Sequence, residues 1–103
     1  GAPPGSPPPA LEGDVVLVAK DLKFDKASVT APAGATFTIA FDNRDSGIDH
    51  DVAIRGDSGI IFNGKDIKGP GQDVENVPAL AAGTYTFFCT FHANMTGTLT
   101  AGG

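Results

Sequence analysis

The chain has 103 residues and a mass of 10.4 kDa, which suits one folding unit and leaves no room for a second core. Twelve acidic residues against seven basic ones give a formal net charge of -5. This balance argues against nucleic acid or an anionic membrane surface as a partner, because both require clusters of Lys and Arg. A single cysteine excludes an internal disulfide, so its thiol is a core group, a reactive thiol or a metal ligand.

The first segment of the chain is rich in proline. Five of the eight prolines lie within residues 1–9, a stretch with no hydrophobic periodicity. We expect residues 1–12 to form an extended, flexible tether and residues 13–103 to form the folded domain. The tether suits a domain held off a lipid anchor, a transmembrane helix or a neighbouring domain, although a cloning remnant at Gly1 and Ala2 explains it equally well.

From Asp14 onward, short apolar runs alternate with Gly, Asn and Asp, as in half-buried strands. In the clearest run, Phe37, Ile39 and Phe41 point to one face and leave a lighter opposite face. Any helix should be a single turn within residues 57–69. The spacing predicts an all-β, Greek-key sandwich or barrel of about seven or eight strands. The predicted strands are residues 15–20, 28–31, 36–42, 50–54, 59–62, 74–80, 84–90 and 96–101.

The most informative residues are Cys89, His92 and Met95, separated by two residues each in a short segment after a predicted strand. The second histidine, His50, begins another predicted strand. A thiolate and two imidazoles with a weak thioether form the ligand set of a mononuclear copper site that carries electrons. Taken singly, a buried Cys, a core Met and a solvated His are the ordinary interpretations. The joint spacing favours a metal site; zinc and a nucleophilic Cys-His pair are weaker alternatives.

The motif Tyr85-x-Phe87-x-Cys89-x-x-His92-x-x-Met95-x-Gly97, an upstream His50 and the edge Ala31-Pro32-Ala33-Gly34 resemble the cupredoxins, the blue copper proteins. The resemblance covers residues 15–101, and the ligand spacing is similar to that of amicyanin. It implies a Greek-key sandwich with one copper ion bound by His50, Cys89, His92 and Met95.

The resemblance also implies roles for residues around the ligands. Asp51 stands where the family usually has a small amide or hydroxyl residue, and we expect it either to bridge to Thr90 or to face solvent. Phe91 stands where amicyanin-like loops have Pro, so its backbone N–H can donate to the Cys89 sulfur. The electron should leave through His92, whose edge is expected in an apolar docking patch formed by Phe91, Ala93, Pro32 and Ala33.

The implied function is one-electron transfer between redox proteins, without substrate turnover. A copper storage or delivery protein, a purely structural sandwich and a domain of a larger membrane-anchored redox complex remain alternatives. One cysteine excludes a binuclear copper centre with two bridging thiolates. We expect a monomer in the periplasm or on the outer cell surface.

Several acidic residues form either a solvated face or a surface that steers a basic partner. These residues are Asp42, Asp45, Asp49, Asp51 and Asp57.

Overall fold

A computed structural model describes residues 11–102, and within them it shows strands, turns and bends without any helix. Most of the predicted tether, residues 1–12, lies outside the described residues. Eight strands have four residues or more, and three more have two residues each. In chain order the strands are β1 (Val15–Lys20), β2 (Lys23–Phe24), β3 (Ser28–Ala31), β4 (Phe37–Asn43), β5 (Asp49–His50), β6 (Ala53–Gly56), β7 (Gly59–Asn63), β8 (Ile67–Lys68), β9 (Gly71–Val77), β10 (Gly83–Cys89) and β11 (His92–Ala101).

The strands form two main sheets, in the orders β2-β1-β4-β9 and β3-β11-β10-β6-β7, and a small ladder, β5-β8. Strands β1 and β4 run parallel, as do β3 and β11, while the other neighbours are antiparallel. No helix in the described part of the chain is long and apolar enough to cross a membrane. The predicted all-β sandwich is therefore confirmed.

The core lies between the two sheets and follows the period-two pattern of the strands. Phe37, Ile39 and Phe41 are at most 2% exposed, as the alternation on β4 predicts. Phe87 and Leu99 meet them from the second sheet and are fully buried. Each such side chain contributes about 1.5–3 kcal/mol through removal from water, so the packed core makes the sandwich rigid.

Several strand limits differ from the sequence prediction. The run 50–54 is interrupted at Asp51 and Val52, and its two ends belong to different ladders, β5 and β6. The run 74–80 moves earlier, to β9, and the last strand begins at His92 rather than Thr96. The helical turn allowed within residues 57–69 is absent. Gly56 pairs with Gly59 there, so a two-residue turn leads directly from β6 into β7.

The close packing of the sheets generates a first prediction at Gly97, which pairs with Phe87 across β10 and β11. A Cβ atom at position 97 would overlap the Phe87 ring and lie 2.8 Å from the Ala27 carbonyl oxygen. We expect Gly97→Ala to lower the free energy of unfolding by about 1–3 kcal/mol, because a packed core accommodates an added methyl group only with strain. Denaturant unfolding of the copper-free protein measures the change. Thr98→Ala, on the exposed neighbouring residue, is the control. Equal stability of Gly97→Ala and wild type would contradict this account of the packing.

Candidate metal centre

A tight hairpin places Cys89 beside His92. Cys89 is the last residue of β10, His92 is the first of β11, and the two are paired across the strands. Only Thr90 and Phe91 form the turn between them. The inward alternation that buries Phe87 also turns Cys89 inward, and Cys89 is 2% exposed. The hairpin therefore brings a thiol and an imidazole to one point at the end of the sandwich.

An irregularity in the same hairpin accommodates Met95. Phe88 pairs with Thr96, but the next residue, Cys89, pairs with His92, so residues 93–95 have no partner on β10. Two residues three apart on a regular strand face opposite sides of the sheet. The unpaired bulge breaks that alternation, and Met95 is 1% exposed within the core cluster while His92 lies half-buried.

The third donor comes from the other side of the site. His50 ends β5 and is fully buried. Its Nδ1 atom lies 3.7 Å from Cys89 Sγ, and His92 Nδ1 lies 3.6 Å from the same sulfur. The ligand atoms of these three residues all lie within 4.8 Å of one another.

These distances suit a shared metal ion. An ion about 2.0 Å from nitrogen and about 2.3 Å from sulfur, in a trigonal plane, separates the two ligand atoms by about 3.7 Å. The observed separations of 3.6 and 3.7 Å agree with this value. Two imidazoles and one thiolate in such a plane are the ligand set of an electron-transferring copper site, and a soft thiolate does not suit hard cations such as Mg²⁺.

The surroundings of the thiol have opposing electrostatic effects. Burial raises the pKa of Cys89 above its usual value, whereas backbone N–H groups of Asp51, Phe91 and His92 lower it. These donors stabilise the negatively charged thiolate, and the thiolate is the form of cysteine that binds a metal. The Phe91 N–H, at the position that the sequence singled out, is one of the groups that lower the pKa of the thiol.

Asp51 links the two segments that carry the donors. Its carboxylate accepts hydrogen bonds from the Thr90 backbone N–H at 2.7 Å and from the Thr90 hydroxyl at 2.5 Å. Asn63 donates a third at 3.1 Å. Asp51 is 4% exposed, so of the two expectations for this residue the structure has the bridge to Thr90 rather than a solvent-facing side chain.

Asp45 is the residue at this site that sequence reasoning missed. Its Oδ2 atom lies 2.7 Å from His50 Nε2, and Asp45 is 6% exposed. Burial alone would raise the pKa of Asp45, but hydrogen bonds from Leu22, His50 and Asp21 lower it to about 2. Asp45 lies five positions before His50, across a polar loop, and no local sequence signal distinguishes Asp45 from the acidic residues around it.

The acidic residues are therefore not one solvated face. Asp45 and Asp51 are buried and hold backbone and side-chain donors, whereas Asp57 is exposed. Asp42 is paired with Arg44 at 2.8 Å. A steering surface could use only the outer members of this group.

The expected docking patch is divided by the fold. Phe91 is 50% exposed and Ala93 is exposed beside it, close to His92. Pro32 and Ala33 do not belong to this patch, contrary to the sequence-based expectation. They follow β3, whose last residue pairs with Ala101, and β11 runs from His92 at the site to Ala101 at the opposite end. Ten residues of extended chain span about 30 Å, which separates the two groups.

A different apolar side chain lies at the site end. Leu22 is 39% exposed, in the turn between β1 and β2. Its carbonyl oxygen lies 3.5 Å from Asn94 Nδ2, in the segment between His92 and Met95. The sequence placed Leu22 far from the ligands, and only the packing of the β1–β2 turn on this end brings it there.

The sequence matches the family model for the cupredoxin-like domain over residues 6–101. This chain belongs to the cupredoxin-like family. The resemblance drawn from the ligand motif is thereby confirmed, and one copper ion is the cofactor that the family and the His-Cys-His donor set indicate. No curated protein matches the sequence.

Solved structures show the same cupredoxin-like fold. The dithionite-reduced auracyanin of Roseiflexus castenholzii matches with a TM-score of 0.76 and 24% identity, covering 86% of this chain and 96% of that chain. Auracyanin A of Chloroflexus aurantiacus, described as a "blue" copper protein, matches at 0.71 and 24%, covering 84% and 96%. Amicyanin of Paracoccus versutus matches at 0.65 and 26%, covering 84% and 79%.

The bridge between Asp51 and Thr90 generates a second prediction. Asp51→Ala removes the acceptor of the Thr90 backbone N–H and of the side-chain donors of Thr90 and Asn63. We expect the free energy of unfolding of the copper-free protein to fall by about 2–3 kcal/mol, because each hydrogen bond to a charged group contributes about 1.5–3 kcal/mol and water compensates part of the loss at the exposed residues Thr90 and Asn63. Thr90→Val, which removes only the hydroxyl donor, should cost less. A copper-free Asp51→Ala protein as stable as wild type in urea would show that the bridge does not hold the two segments.

Proposed function

We propose that this cupredoxin-like protein is a one-electron carrier with a single copper ion bound by His50, Cys89 and His92 and more weakly by Met95. The observation that carries the proposal is the convergence of one sulfur and two imidazole nitrogens within 4.8 Å in a buried end of a rigid sandwich. The copper ion supplies the chemistry, by alternating between Cu(I) and Cu(II).

The protein's part is to hold the donors still. Electron transfer is fastest when the ligands barely move between the two oxidation states. Cys89 and His92 belong to one hairpin, and His50 is joined to that hairpin through its neighbour Asp51 and the Thr90 N–H. These links support a ligand geometry that is set before the metal arrives and that changes little on reduction.

The two imidazoles differ in their access to solvent. His50 is fully buried, while His92 is half-buried beside exposed Phe91 and Ala93. This difference supports His92 as the route by which the electron leaves. An apolar rim around His92 suits brief docking of a redox protein, because it allows close approach without strong charge pairing.

The partners are redox proteins, and the net charge of -5 favours basic ones. We propose a monomer that acts outside the reducing cytosol, in the periplasm or at the outer cell surface, where a copper-thiolate site suits the conditions. We propose a carrier rather than an enzyme because the four candidate donors together complete the coordination of one copper ion. None of these four side chains is then free to act as a catalytic group.

Copper titration gives the third prediction. One equivalent of Cu(II) should produce an intense visible absorption from thiolate-to-copper charge transfer, followed by reversible reduction. Cys89→Ser should abolish this absorption because its hydroxyl does not replace the thiolate donor. Thr98→Ala, on an exposed residue of the same hairpin, should leave the absorption unchanged.

Colourless binding with rapid loss of copper to a chelator would instead indicate storage or delivery. A spectrum and melting temperature unaffected by copper would indicate a purely structural domain.

The Phe91 N–H generates a fourth prediction. This donor stabilises charge on the Cys89 sulfur and weakens the sulfur's donation to Cu(II), which favours Cu(I). Phe91→Pro removes the N–H and should lower the reduction potential measured by redox titration. Phe91→Ala removes the ring but keeps the N–H, and should have the smaller effect. A potential in Phe91→Pro at or above that of Phe91→Ala would rule out the hydrogen bond as its determinant.

A further inference from the structure

Asp45 lies where the proposed metal site meets the turn between β1 and β2. Its Oδ2 atom is 2.7 Å from His50 Nε2 and 3.0 Å from the Leu22 N–H nitrogen, and its Oδ1 atom is 2.6 Å from the Asp21 N–H nitrogen. Asp45 is 6% exposed and His50 is fully buried. One buried carboxylate thus joins a donor residue to a backbone turn more than twenty residues earlier in the chain.

We propose that Asp45 is a positioning residue for the metal site, which keeps the Nδ1 lone pair of His50 directed at the metal and favours Cu(II) over Cu(I) through its negative charge. This inference rests on the proposed function, because it assumes that His50 Nδ1 binds the copper ion. It concerns a residue that the ligand motif does not include.

The hydrogen bond to Asp45 selects the tautomer of His50. An ionised carboxylate can only accept hydrogen bonds, so the His50 Nε2 atom at 2.7 Å must carry the proton. The neutral ring then has its lone pair on Nδ1, the atom that lies 3.7 Å from Cys89 Sγ. A carboxylate behind a ligating imidazole also makes that imidazole a stronger donor. The stronger donor and the negative charge of Asp45 both favour the higher charge on the metal.

The carboxylate itself is held firmly from the opposite side. Asp21 and Leu22 have φ angles of 54° and 61°, and neither is glycine, so each adopts a conformation that costs of the order of 1 kcal/mol or more. Asp45 accepts a hydrogen bond from the N–H of both. The turn therefore depends on Asp45, and the two N–H groups prevent the carboxylate from rotating away from His50.

A second set of contacts holds the segment between Asp45 and His50. The Asp45 N–H donates to Asn43 Oδ1 at 2.9 Å. The amide of Asn43, fully buried, donates to the carbonyl oxygens of Ile48 at 2.8 Å and Ile67 at 2.7 Å. These bonds leave the loop little freedom, so the Asp45–His50 geometry is set by the fold and not by the metal.

Asp45→Asn tests the charge while retaining an oxygen that can accept the His50 Nε2 proton. We expect the copper protein to keep its visible absorption and its reduction potential to rise. The equilibrium ratio of Cu(I) to Cu(II) at a fixed potential should increase about tenfold, which corresponds to about 59 mV for one electron.

The matched control is Asp25→Asn. Asp25 holds the same hairpin, through the Val18 N–H at 2.8 Å and Lys26 at 2.9 Å, and removing its charge leaves His50 untouched. Equal potentials in the two variants would overturn the proposal.

Asp45→Asn also weakens the β1–β2 turn, so its effect on the potential is measured a second time in a protein whose turn does not need Asp45. Asn-Gly is the preferred pair for two-residue turns with positive φ at both positions, so Asp21→Asn with Leu22→Gly frees the turn from its dependence on Asp45. If Asp45→Asn does not fold alone, its potential is measured in this background against the background itself. A rise supports the proposal, and an unchanged potential overturns it.

The copper-free protein separates this inference from the proposed function. Nitrogen-15 NMR of the imidazoles should show a proton on His50 Nε2 and none on Nδ1 in wild type, and a mixture of tautomers in Asp45→Ala. A neutral His50 ring with its proton on Nδ1 in wild type would overturn the positioning role whether or not the protein binds copper. Failure of the copper titration with the expected tautomer present would count against the function alone.

Discussion

Two buried carboxylates hold the end of the sandwich that carries the sulfur and the imidazoles. Asp51 accepts hydrogen bonds from Thr90 in the β10–β11 turn, and Asp45 accepts them from the β1–β2 turn and from His50. A buried carboxylate is costly unless donors surround it, so each one draws several chain segments to itself. The donor atoms converge because segments distant in sequence share these acceptors.

This arrangement explains how a small domain can hold a metal centre without flexible ligands. The sheets supply Cys89 and His92 from one hairpin, and the hydrophobic core behind them resists displacement. Asp51 connects that hairpin to the segment that carries His50, and Asp45 connects His50 to the β1–β2 turn. Rigidity is the property that a one-electron carrier needs, and in this protein it derives from packing and from buried hydrogen bonds that exist without the metal.

The strand limits and the residues of the expected docking patch were only partly predictable from the sequence. Alternation predicted β1 and β3 to the residue and the inward face of β4, because burial on one face imposes the period of two. The start of β11 was wrong because the bulge at residues 93–95 continues the strand without regular pairing. Pro32 and Ala33 were misplaced in the docking patch because the parallel pairing of β3 with β11 is a long-range event that no local pattern reports.

The sequence by itself determined the family, the all-β class and the candidate donors. Those features depend on residue type and short-range spacing, which a chain displays in any conformation. Only the tertiary structure decided which carboxylates are buried at the site. Asp42, Asp45, Asp49, Asp51 and Asp57 look alike in sequence, yet Asp45 faces His50 and Asp51 faces Thr90. The difference depends on which distant N–H groups the fold brings within reach of each carboxylate, and therefore on the packing of the sheets and turns.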